Sequence, residues 1–199
     1  MKLALFDFDG TITKKDTLAG FIQFLVGKPA YYLGLFKLSP LLIAYSFKLV
    51  PNNVAKEKLI SCFVGGMQEK KFKELAKEYA EKHIDAITRD EAITRIKWHQ
   101  KEGHKVVVVS ASMECWLKAW CDKNSIELIS TTLEIKSGKI TGKFATRNCH
   151  GIEKVNRIKE SYNLNEYKYI YAYGDSSGDK EMLELADESY YKPFRNKNL

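Results

Sequence analysis

The chain opens on an apolar run, Leu3-Ala4-Leu5, that leads straight into FDFDGT at residues 6–11. A buried strand that ends on two carboxylates, Asp7 and Asp9, and then turns on Gly10 constrains the fold more than any other feature. Residues two apart on a strand point to the same side of a sheet. The two acids are therefore expected to repel at neutral pH unless a cation, a shared proton or a chemical task holds them there. Three later segments repeat the pattern of an apolar run stopped by a polar turn: KVVVVSAS at 105–112, IELISTTLEI at 126–135 and YKYIYAYGDSSGD at 167–179. Such runs fit parallel strands buried on both faces. LEIKSGKITGKF, 133–144, carries a hairpin signal with Ser137-Gly138 as its turn, and ESYYKPF, 188–194, predicts a short last strand. Helical patterns over 113–123, 151–162 and 178–186 alternate with the strands. That alternation implies an α/β fold, a doubly wound and mostly parallel sheet.

Between the first two strands the pattern changes. Residues 14 to about 102 contain no strand signal, and helices are expected over 17–26, 29–38, 40–50, 53–63, 68–83 and 86–102. Pro29 and Pro40 fall at first-turn positions, and Gly103 is placed to end the last helix. The expected organisation is a core of residues 1–13 and 103–199, with an all-helical domain inserted over 14–102.

A net charge of +7 favours an anionic partner, unless the lysines simply solvate the surface. No nucleic-acid-binding motif is present and the lysines are spread along the chain, so nucleic acid is not expected. Cys62, Cys115, Cys121 and Cys149 show no C-x-x-C spacing, which argues against zinc and for a reducing compartment. The first residues read as a strand, not a secretory leader, so a cytoplasmic location is expected. Nothing in the sequence sets an oligomeric state.

In an open α/β sheet, ligands bind beyond the carboxyl ends of the strands. The first strand brings Asp7 and Asp9 there, the second Ser110, and the fourth Asp175 and Asp179. Backbone N–H groups from Ala111 onward, entering a helix, suit an anion. Lys154 begins the helix before the fourth strand and is within reach of the same edge. Each has a plainer reading: Ser110 as a helix cap, Ser176 to Asp179 as a capping box, Lys154 as one surface lysine among many. Converging acids beside apolar strands are costly without a cation, however. Hard oxygen ligands of this kind suit Mg²⁺.

DFDGT resembles the first motif, D-x-D-x-T, of the haloacid dehalogenase superfamily of phosphotransferases. VVVVSAS resembles the second motif, GIEKVNRI the lysine motif and GDSSGD the acidic fourth, all in the family's order. The long insertion resembles the helical cap of the phosphoserine-phosphatase-like branch. The resemblance implies that Asp7 attacks phosphorus to form an aspartyl-phosphate, and that Asp9 protonates the leaving group and later activates water. It implies Mg²⁺ held by Asp7, the backbone carbonyl of Asp9 and Asp175, with Asp179 as ligand or support. Ser110, the backbone at Ala111, and Lys154 would bind phosphoryl oxygens. True dehalogenases of the superfamily lack the second acid, so Asp9 favours a phosphatase.

The substrate is expected to be chosen by the cap. Phosphoserine phosphatases resemble this chain in the core, and they grip the amino acid with a cap glutamate and a cap arginine. Here Asp16 takes the glutamate's place, and no arginine precedes Arg89. A lysine lacks the bidentate geometry that suits a carboxylate. Residues 17–51 contain seven aromatics, three lysines and no acid. The lysines interrupt the stretch too often for a membrane span, but such helices can lie in a membrane interface. The alternative is that they bury these residues against each other. Bacterial phosphatidylglycerophosphatases, which the chain resembles in outline, have a similar apolar cap. A lipid phosphomonoester is therefore the expected substrate, with a small soluble phosphate such as a phosphoserine-like or sugar phosphate as the alternative. A non-catalytic scaffold or membrane-associating protein would have lost an acid, and none is missing.

Overall fold

The computed structural model describes residues 1–195. The chain runs β1 (Lys2–Phe6), α1 (Thr17–Lys37), α2 (Ser39–Ser46), α3 (Asn52–Val64), α4 (Glu69–Tyr79), α5 (Asp90–Lys101) and β2 (Lys105–Met113). It continues with α6 (Glu114–Lys123), β3 (Glu127–Thr131), β4 (Leu133–Lys136), β5 (Lys139–Phe144), α7 (Ile152–Ser161), β6 (Tyr169–Gly174), α8 (Lys180–Glu184) and β7 (Glu188–Tyr191). Five strands pair in the order β3-β2-β1-β6-β7, every pair parallel, as the alternating sequence pattern requires. The strand order reverses direction between β1 and β6. In a sheet of this kind the crevice beyond the strand ends at such a reversal is where ligands bind, and Asp7 and Asp175 stand on its two sides.

Strand alternation divides the core in two. Leu3, Leu5, Val107, Val109, Ile170 and Ala172 face one way and pack with Ile158 of α7 and Met182 of α8. Ala4, Phe6, Val108 and Tyr173 face the other way, joining Trp116 and Trp120 of α6 and the apolar side of the inserted helices. Burial on both faces explains why β1 and β2 read as continuous apolar runs.

The inserted segment is framed differently from the expectation. Its borders lie at 13 and 88: Thr13 bridges Thr88, Lys14 N–H donates to Ile87 O at 2.7 Å and Arg89 N–H donates to Ile12 O at 2.8 Å. Helix α5 therefore belongs to the sheet layer, where its buried His99 Nε2 meets the Tyr173 hydroxyl at 2.9 Å. The layer over the strand ends is also not purely helical. The run 126–135 breaks at Thr132 into β3, which joins the sheet, and β4, which pairs only with β5. A two-stranded hairpin is marginal alone, and this one is sealed onto α3 and the turn after it. Gly66 N–H donates to Ile140 O at 2.8 Å, Ile140 N–H to Met67 O at 2.9 Å, and Phe144 N–H to Glu57 Oε1 at 2.7 Å. Its turn uses positive φ at Ser137 and Gly138, as the sequence signals. Helix α1 breaks at Gly27 (φ 76°), so Pro29 sits at the start of its second half. Among the described residues, no helix is long and apolar enough to cross a membrane.

Candidate active site

The Asp7 N–H donates to Tyr173 O at 2.8 Å, which ties the end of β1 to β6 and fixes where the Asp7 side chain starts. Its Oδ1 accepts from Lys154 Nζ at 2.7 Å and its Oδ2 from Thr11 Oγ1 at 3.1 Å. Lys154, in the first turn of α7, is only 1% exposed. Its other two bonds go to Val109 O at 2.7 Å and Asp179 Oδ1 at 2.6 Å. An ammonium has three donors, and all three are directed at protein oxygens. Contact between Lys154 and a phosphoryl group thus requires one of these bonds to open. Burial pulls the Lys154 pKa down, but Asp7 and Asp179 outweigh it and hold the pKa above the ordinary lysine value. Burial raises Asp7 to about 7 against the pull of Lys154, with further upward pushes from Asp179 and Asp9.

Asp179 does two jobs. Its Oδ2 accepts from Ser176 N–H at 2.9 Å, Ser176 Oγ at 2.8 Å and Asp175 N–H at 3.1 Å, completing the capping box read from the sequence. Its Oδ1 holds Lys154. Asp175 is half-buried and accepts from the Arg195 guanidinium at 2.6 Å. At Gly10 (φ +84°) the backbone runs so close to Asp175 that a Cβ would strike its carboxylate, so both the conformation and the space require glycine.

One carboxylate oxygen from each of Asp7, Asp175 and Asp179 lies within 4.8 Å of the other two. Such an all-oxygen set fits a hard divalent cation such as Mg²⁺. Asp7 and Asp175 keep acceptor capacity for it, whereas Asp179 has committed both oxygens to Lys154, Ser176 and Asp175. Asp9 does not point its carboxylate into this group. Its Oδ1 accepts from Thr17 N–H at 2.7 Å, in the first turn of α1, and its Oδ2 from the Ser112 hydroxyl. The two acids of FDFDGT therefore answer to different partners, because β1 ends at Phe6 and the chain turns between them. Burial and the charge of Asp16 raise Asp9 to about 6, while Ser112 and Thr17 pull it back.

Ser110 is buried, and its Oγ accepts from Ser112 N–H at 3.0 Å. The helix expected over 113–123 runs from Glu114 to Lys123, after β2 has continued through a register shift to Met113. The Ala111 carbonyl accepts from Lys56 Nζ at 2.8 Å. Asp16, exposed at the N-cap of α1, accepts from Ala19 N–H at 2.8 Å.

The sequence pointed to neither Ser112 nor Lys56. Ser112 had a signal, since residues 110 and 112 share a strand face. Lys56 had none. It reaches from α3 over the strand ends and makes one hydrogen bond among the described residues, of the three an ammonium can donate. Burial lowers its pKa, and Asp16, Asp9 and Asp7 pull it back up, so all three acids act on it. Beside it, a cleft of about 580 Å³ runs between the start of α3 and the loop before α7, lined by Asn52, Asn53, Arg147, Asn148 and His150 among others.

Residues 4–184 match the family model described as haloacid dehalogenase-like hydrolase. Protein CicA of Caulobacter vibrioides is 34% identical over 197 residues, spanning 98% of this chain and 87% of that protein. A Bordetella pertussis Tohama I protein described as of unknown function superposes with a TM-score of 0.79 at 21% identity, over 94% of this chain and 88% of the other. A phosphoserine phosphatase, solved as an analogue of its phospho-aspartyl intermediate, superposes with a TM-score of 0.68 at 19% identity, over 94% and 84%. At these identities the two structures speak for the fold alone. The family match spans nearly the whole core, and the chain belongs to the haloacid dehalogenase-like hydrolases.

Proposed function

We propose that the protein is a Mg²⁺-dependent phosphomonoester hydrolase that works through an aspartyl-phosphate on Asp7. The observation that carries this is the division of labour between the two acids: Asp7 on Lys154 beside Asp175, Asp9 on the first turn of α1. An Asp7 oxygen bonds to phosphorus as the ester P–O bond breaks, and Asp9 gives its proton to the departing alkoxide. A pKa of about 6 keeps part of Asp9 protonated near neutrality, which suits a group that must act as both acid and base. The resulting Asp9 carboxylate then takes a proton from water, whose oxygen attacks phosphorus and frees Asp7 and inorganic phosphate. Mg²⁺, held by Asp7, Asp175 and the Asp9 carbonyl, would offset the repulsion between carboxylate and phosphate. Lys154 orients Asp7, and the donors at Ser110 and Ala111, with Lys56, face the phosphoryl oxygens.

For the substrate, we infer a lipid phosphomonoester such as phosphatidylglycerophosphate, at the cytoplasmic face of a membrane. The support is the apolar surface of the cap and not a likeness to any lipid phosphatase. A small soluble phosphomonoester, phosphoserine-like or a sugar phosphate, is the second reading. Lys56 favours it, since its ammonium feels the charges of Asp16, Asp9 and Asp7 together.

The test is turnover of p-nitrophenyl phosphate by the purified protein and by Asp7→Asn. Activity should need Mg²⁺, vanish in EDTA, gain little from Ca²⁺, and fall by at least a thousandfold in the variant, about the scale of losing a catalytic nucleophile. Full activity in EDTA, or more than a few per cent left in Asp7→Asn, would sink the reading.

A further inference from the structure

Thirteen large apolar side chains are exposed among the described residues, and eight of them fall between 32 and 54. Tyr32, Leu33 and Phe36 lie on the outer side of the second half of α1, Ile43 on α2, and Phe47 and Leu49 on the turn that follows. The inner side of α1 is satisfied: Tyr31 stacks on Phe63 of α3 with centroids 5.9 Å apart, and Gly34 lets that ring press against the backbone. The outer residues are thus not left over from poor packing. They are concentrated in one stretch of the cap, with Phe36 77%, Phe47 72% and Leu49 77% exposed. Apolar patches concentrated in this way mark interaction sites.

Charge selects the partner. No acid occurs between Asp16 and Glu57, and Lys28, Lys37 and Lys48 stand exposed around the apolar residues. A second copy pairing through this face about a two-fold axis would bring lysines against lysines with no nearby acid to offset them. An anionic bilayer supplies both an apolar layer for the rings and phosphate headgroups for the ammonium groups. The surface also leads to the cleft. Tyr45 at the end of α2 accepts from Asn52 Nδ2 at 2.8 Å, and Asn52 Oδ1 accepts from Asn148 Nδ2 at 2.9 Å, across the mouth.

We propose that the cap tip, residues 32–49, docks the protein on an anionic lipid surface with the cleft mouth at the bilayer interface. The inference shares the cap surface with the lipid-substrate reading but not with the aspartyl-phosphate chemistry, so vesicle binding and turnover of p-nitrophenyl phosphate can fail separately.

The test is co-sedimentation of the full chain with phosphatidylcholine vesicles of increasing phosphatidylglycerol content. Binding should rise with the anionic lipid and fall with salt. Each lysine near the surface is worth about fivefold in partitioning, so Lys28, Lys37 and Lys48 changed together to Gln should weaken binding on the order of a hundredfold. Phe36→Ser, Phe47→Ser and Leu49→Ser combined should cut binding at least tenfold at unchanged melting temperature, since these side chains are exposed. No binding to anionic vesicles at low salt would overturn the proposal. So would binding that both variants retain, or a dimer in light scattering that the serine variant dissolves while vesicles bind neither form.

Discussion

Replacing Lys154 with Met tests the buried cation directly. Methionine keeps most of the stem and removes the ammonium that Asp7, Asp179 and the Val109 carbonyl share at 2.6 to 2.7 Å. Removing one partner of a buried ion pair costs about 3–5 kcal/mol. Asp179 gives an independent figure. It is 1% exposed, and burial alone would raise its pKa. Lys154 and Ser176 outweigh burial and hold it below the usual carboxylate value. Without Lys154, only the bonds from Ser176 and Asp175 still oppose burial, and the folded-state pKa rises. Each pH unit between the unfolded pKa and pH 7 then costs about 1.4 kcal/mol, or about 4 kcal/mol in all if Asp179 is driven fully to its acid form.

The sign follows from linkage. A carboxyl with a raised folded-state pKa contributes stability that is present below its unfolded pKa and is lost as pH rises. In the wild type Asp179 is depressed and behaves oppositely: its contribution is present above the unfolded pKa and lost on acidification. In that limit the deficit of Lys154→Met should shrink from about 4 kcal/mol at pH 7 to about 1.5 at pH 5. Urea unfolding in EDTA at the two pH values, with equal m-values, reads this as a converging pair of midpoints. Asp7→Asn is the control. Asparagine still offers Lys154 an acceptor and removes one of two neighbouring acids, so its stability should stay within about 1 kcal/mol of wild type while turnover disappears. A Lys154→Met protein as stable as wild type at pH 7, or a deficit that widens on acidification, would refute the argument.

Two further outcomes test the cap side of the site. Ser112→Ala removes a hydrogen bond that lowers the Asp9 pKa, so the alkaline limb of kcat/KM for an alkyl phosphate should move up by about one pH unit; a limb that stays put removes Asp9 as the leaving-group acid. Lys56→Met should raise KM for a phosphomonoester about tenfold or more, the worth of a charged hydrogen bond, with kcat changed far less. An unchanged KM would show that the spare Lys56 donors do not meet substrate.

The sheet and the acids were legible because both are written locally. A strand buried on both faces must read as an apolar run, and its carboxyl end is where that run stops, so Asp7, Ser110 and Asp175 could be placed from neighbours alone. What was hidden depends on contacts far apart in sequence. Nothing about residues 90–101 says whether an amphipathic helix rests on the sheet or on the insertion; that is decided by His99 meeting Tyr173. Nothing distinguishes Lys56 from Lys58 until α3 is laid over the strand ends. The two carboxylates of FDFDGT looked like a repelling pair because the strand was read as continuing through Asp9. The fold separates them instead, giving Asp7 to the core through Lys154 and Asp9 to the insertion through Thr17.

That separation ties substrate choice to chemistry. The Thr17 N–H that holds Asp9 belongs to the first turn of α1, and the Thr17 hydroxyl donates to Ser112 Oγ at 3.2 Å while accepting from Trp116 Nε1 at 3.1 Å. The second half of the same helix, beyond the break at Gly27, carries exposed apolar side chains of the cap. Any displacement of the first half of α1 would move the donor on Asp9 and change the acid's position and pKa together. In the chemistry proposed above, the nucleophile rests on the sheet and does not feel such a shift, whereas the proton donor does. A cap variant that shifts α1 should therefore slow esters with poor leaving groups, which need the proton, far more than p-nitrophenyl phosphate, which does not. Equal slowing of both would mean that the cap acts only on binding, and that Asp9 is held by Ser112 without help from α1.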